Sequence, residues 1–152
     1  MNDLGGYYQV EEEILEQCKK ALFSLAQNKV VVEEIEPEAN PYHLSNSWKI
    51  LRSKSLYDEF SNYNLSSDEK ILSIDWEIQN GQVVKETDLE EALVWRSEWE
   101  NEVNSIFKKY DYLALPVAQV YPFNKDIPYP SSINGKQMET YHQWMDIVVL
   151  SS

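Results

Sequence analysis

The sequence predicts an α/β fold with about two strands and four or five helices. Apolar residues recur at helical spacing in several segments, and two short runs are β-branched or uniformly apolar. In 152 positions, 43% apolar and 12% aromatic residues suffice for a real core and argue against disorder over most of the length.

The elements follow in order. Val10, Ile14, Cys18, Ala21, Leu22 and Leu25 mark one face of an amphipathic helix over residues 10–26, with Glu11, Glu12, Glu13 and Glu16 opposite and early, where the helix dipole favours them. After turn residues 27–29, the β-branched run 30–35 predicts a short strand that Pro37 stops. Leu44, Trp48, Leu51, Leu56 and Phe60 predict a second helix over residues 41–60, before the polar cluster 61–67. Ser66 with Glu69 forms a capping box for a third helix that runs to about Ile78 and ends at Asn80-Gly81. Thr87 with Glu90 repeats the signature, and Leu89, Ala92, Leu93, Trp99, Val103, Ile106 and Tyr110 line a long fourth helix. Residues 112–117 form an apolar run without alternation, the mark of a strand covered on both faces. Pro122, Pro128 and Pro130 make residues 118–135 a long ordered loop, and residues 138–152 read as a last helix with its apolar residues crowded at the end.

Charge and composition exclude several classes. Thirteen Lys plus Arg against twenty-six Asp plus Glu give a net charge of -13, which repels nucleic-acid phosphates and anionic lipid, so neither nucleic acid nor membrane is an expected partner. Apolar runs such as 147–150 fall far short of the roughly 20 residues that span a bilayer. One cysteine and an N-terminus without a basic-then-apolar pattern fit a cytoplasmic protein. Four glycines, Gly5, Gly6, Gly81 and Gly135, leave no glycine-rich catalytic or phosphate loop.

Residues able to carry chemistry are few. His43, His142 and Cys18 are scattered, so no metal and no cofactor is expected, and Cys18 on an apolar helix face reads as a small hydrophobe. Ser67 and Lys70 fit Ser-x-x-Lys, but the serine stands where a helix cap belongs. Glu98 and Glu102 lie one turn apart on what reads as a solvated face. Arg96 lies on the otherwise apolar face of the fourth helix, where it needs a carboxylate or carbonyl partner. Tyr121, Phe123, Tyr129, Tyr141 and Trp144 have the composition of an apolar cleft wall, and core packing accounts for them equally well.

A longer pattern lies in the C-terminal third. Tyr110-Asp111-Tyr112-Leu113 before Pro116, then Pro122-Phe123, Pro128, Gly135, Thr140-Tyr141 and Trp144-Met145, resembles the C-terminal half of the amidase signature family, whose members hydrolyse carboxylic amides with a Ser-Ser-Lys triad. Asp3-Leu4-Gly5-Gly6-Tyr7, the first helix and the run 30–35 are similar to the family's segment just beyond the triad, so the resemblance covers almost the whole chain.

The resemblance implies part of a large mixed-sheet α/β domain, with residues 1–152 as a single segment incomplete at both ends. The implied triad lies outside this chain, so no residue here inherits a catalytic role and the chain alone is expected to be inactive. The implied partners are the remainder of the domain and, once completed, a small-molecule amide; unpaired strands also favour self-association. With the loop 121–135, Tyr141 and Trp144 are the expected substrate-binding residues. The alternative reading is a stand-alone acidic binding or scaffold domain without catalysis.

Overall fold

The structure is a computed structural model that describes residues 3–63 and 72–151. Its chain divides into two compact units: Ala39–Ile106 forms one, and the segments on either side of it together form the other. Four α-helices, two 3-10 segments and one small hairpin make up its regular structure among the described residues.

The inserted unit is a helical bundle. Asn40 accepts the Tyr42 N–H on its side chain at 3.0 Å, and Pro41 occupies the first turn, so α2 starts where sequence places it and runs Pro41–Phe60. α3, Leu72–Val83, and α4, Glu86–Ile106, pack against it. The expected stop at Asn80-Gly81 is overturned, because α3 continues through it. Gly81 is there for packing: a Cβ would lie 2.0 Å from the Ser53 carbonyl oxygen and 2.6 Å from Tyr57 Cβ. Ser53 is small and buried, which suits this close approach; Ser45 and Ser47 are the other small buried residues of α2.

α4 starts one residue before Thr87, so Thr87 with Glu90 does not cap it; the Asp88 carboxylate instead accepts the Lys85 N–H at 2.9 Å. Its inward stripe passes through Ala92, Trp95 and Trp99. Leu93 and Arg96 fall outside that stripe and are exposed, so the expected buried arginine on this helix is not found. The expected Ser66–Glu69 capping box, Ser67 and Lys70 lie outside the described residues.

In the other unit, α1 spans Glu12–Gln27. None of its residues is buried: Ile14, Cys18 and Leu22 are half-buried, and Phe23 and Leu25 are exposed. Lys29, in the left-handed region at φ 68°, turns the chain into residues 30–37. That segment and residues 112–117 are not strands, contrary to expectation, because no backbone ladder forms along them. The two strands lie elsewhere, in a hairpin that pairs β1, Ser132–Ile133, antiparallel with β2, Lys136–Gln137. Asn134 and Gly135, at φ 49° and 80°, make its tight turn.

The C-terminal segment forms two 3-10 segments, Tyr141–Trp144 and Asp146–Ser151, instead of one helix. Its crowded apolar residues, Ile147, Val149 and Leu150, join Tyr8, Val10, Val120 and Ile133 as this unit's core. No helix among the described residues is long and apolar enough to cross a membrane.

Candidate functional site

Gln119 organises the unit that holds the expected site. It is 1% exposed, and its side-chain amide and main-chain carbonyl make four hydrogen bonds. Its Nε2 donates to the Gln9 and Gln143 carbonyls, each at 2.9 Å, its Oε1 accepts the Ile147 N–H at 3.0 Å, and its carbonyl accepts the Glu11 N–H at 2.9 Å. The Ile147 N–H and the Gln143 carbonyl would bond each other in an α-helix, so the Gln119 side-chain amide stands in the place of that bond. This is why the last segment breaks into 3-10 pieces.

The same wiring brings the proline-rich loop to the C-terminal segment. Glu11 accepts the Tyr121 N–H on its carboxylate at 2.9 Å, and Asn134 donates to the Val10 carbonyl at 2.8 Å. Gln143 Oε1 accepts the Thr140 N–H at 3.2 Å and that of Glu139, which fixes the start of the first 3-10 segment. There Phe123 meets Trp144 edge to face, with ring centroids 5.2 Å apart and planes at 84°. Tyr141 lies against His142, centroids 4.1 Å apart.

Of the two expected substrate-binding residues, Trp144 therefore joins the loop and Tyr141 packs on its sequence neighbour; both are half-buried. Tyr121 is exposed and Tyr129 half-buried. His142 and Asp146, two residues to either side of Trp144 in sequence, are buried. The Trp144 indole N–H is also shielded from solvent and meets no acceptor among the described residues. A donor held in this state gains most from an acceptor that enters from outside, such as a carbonyl oxygen.

Gln119 had one signal in the sequence: it is the lone strongly polar residue within the apolar run 113–120. The second buried polar cluster, in the helical bundle, had none. Glu77, 1% exposed, accepts from Arg52 Nε at 2.7 Å and from the Ser53 hydroxyl at 2.5 Å, and the Arg52 guanidinium lies 5.3 Å from the Trp48 ring centroid. Nearby in sequence, His43 stacks on Trp95 at 4.4 Å between centroids.

Cys18 is half-buried on α1. Among the described residues no three His, Cys, Asp or Glu converge as metal ligands. On the surface, Glu33 accepts from the Tyr110 hydroxyl and, at 3.3 Å, from Lys109. These bonds, that of Tyr110 foremost, hold the Glu33 carboxyl below its ordinary range; bonds to Tyr110 and Glu33 raise Lys109. Compared with family models, with curated proteins and with solved structures, the chain matches none.

Proposed function

We propose that this chain provides a substrate-binding wall of an amidase-type hydrolase, for carboxylic amides cleaved by a Ser-Ser-Lys triad carried on polypeptide outside these residues. The observation that carries the reading is the contact of Phe123 with Trp144, where the loop 121–135 meets the C-terminal segment and an indole N–H is buried without an acceptor among the described residues. An amide substrate offers a carbonyl acceptor and, if aryl, a flat face for the aromatic edge. In this reading Trp144 donates to the amide oxygen and Tyr141 shapes the rim. In this reading the nucleophile and its base belong to the triad outside these residues, so the chain binds an amide without turning it over.

The test is a titration of the pure 152-residue chain with benzamide, followed on the tryptophan indole N–H resonances. The Trp144 resonance, assigned by its loss in Trp144→Phe, is expected to shift saturably with no benzoate released. An unmoved Trp144 resonance at the solubility limit would sink the binding role. Benzoate formed by the chain, and equally by a preparation free of host hydrolases, would overturn the absence of catalysis.

A further inference from the structure

We propose that residues 30–35 and 112–117 form a docking edge for an extended polypeptide strand of another chain, one that carries lysine or arginine. Three observations meet here. First, both segments are apolar and open: Val31 is 83% exposed, Tyr112 89% and Val117 84%. Second, their backbones belong to no helix and no ladder; among the described residues no hydrogen bond engages the main chain of Val31, Val32, Tyr112, Leu113 or Leu115. Third, the edge is rimmed by exposed acids, Glu33, Glu34, Glu36 and Glu38. Lys109 and Tyr110, just before the second segment, are bonded to Glu33 in the first.

Each observation constrains the occupant. A lipid or small apolar molecule would cover the side chains and leave the peptide groups without partners, whereas an added strand supplies an N–H and a C=O at every second residue. Over residues 112–115, Leu113 and Leu115 are half-buried while Tyr112 and Ala114 are exposed, so alternate side chains face solvent there. A second copy of this chain would bring the same acids against these, and a chain at net charge -13 opposes that pairing. The acids thus act as guards against self-pairing and as attraction for a basic strand.

The test uses the full chain at low ionic strength and a ten-residue peptide of alternating valine and lysine. Amide hydrogen exchange at Val31, Val32, Leu113 and Leu115 is expected to slow at least tenfold when the peptide is added. The same peptide N-methylated at alternate residues, and one with glutamate for lysine, are expected to leave exchange unchanged. Val31→Pro and Val32→Pro each delete one N–H from an unbonded, exposed position, and because ladder bonds alternate, one of the two is expected to weaken peptide binding tenfold or more. Equal protection by the N-methylated peptide, equal protection by the glutamate peptide, unchanged binding in both proline variants, or protection that grows with the chain's own concentration and no peptide would each overturn the proposal. None of these readouts involves Trp144, so amide binding and strand docking can fail separately.

Discussion

Gln119 illustrates how one side chain sets the course of a segment far away in sequence. Replacing it with leucine keeps the bulk but strands two part-buried carbonyls and one buried N–H, at about 1–3 kcal/mol for each group that finds no water. Gln119→Leu is therefore expected to lower unfolding stability in urea by about 3 kcal/mol, with the loss seen in the near-ultraviolet signal of Trp144. The exposed trio at Glu33 predicts a titration effect. Its lowered carboxyl contributes stability above the ordinary value of 4.5 that is lost as pH falls through the folded value, while the raised Lys109 contributes below 10.5 and loses its share as pH rises beyond that. Tyr110→Phe removes the strongest of the bonds on Glu33, so the Glu33 carboxyl, followed by NMR from pH 2 to 7, is expected to titrate at higher pH than in the parent. An unchanged midpoint would contradict the role given to the Tyr110 hydroxyl.

At the scale of elements, local signals and long-range pairing part company. Asn40-Pro41 announces α2 because both act within the first turn, and the period of α4 is visible because a helix bonds to itself. Gly81 reads as a stop only while its packing is unknown. A Cβ there invades the Ser53 carbonyl, so Gly81→Ala is expected to destabilise the helical unit by about 2 kcal/mol, despite the gain of about 1 kcal/mol in helix propensity. A thermal melt that rises instead would show that α2 and α3 separate freely. In the same unit Glu77→Ala leaves Ser53 without its buried acceptor and is expected to cost about 3 kcal/mol in urea unfolding. Residues 30–35 and 112–117 have strand composition, yet a strand exists only when another backbone answers it, which composition does not encode. Asn134-Gly135 was the stronger hairpin signal all along, flanked by Ile133 and placed at the end of what the prolines make look like loop. The aromatic pair at Phe123 and Trp144 was legible by type and order; the hidden indole N–H was not, since its surroundings depend on folding.

For the whole molecule, charge and exposed apolar surface act in opposite directions. At low salt the net charge of -13 keeps copies apart, and screening over a Debye length of about 10 Å at 0.1 M weakens that repulsion. Sedimentation is expected to show association increasing from about 0.02 to 0.5 M salt; a compact monomer throughout would mean that residues 30–35 and 112–117 are not cohesive. The division into an inserted unit and a unit built from both flanks has a temporal side as well. The bonds from Gln119 to Gln9 and from Tyr121 to Glu11 span 110 positions, and that from Asn134 to Val10 spans 124. The helices between them meet over short separations and need no distant partner. On a ribosome, α2, α3 and α4 can therefore assemble while Tyr8 and Val10, made before them, are still waiting for shelter, because their cover arrives only with Gln119 and Ile147.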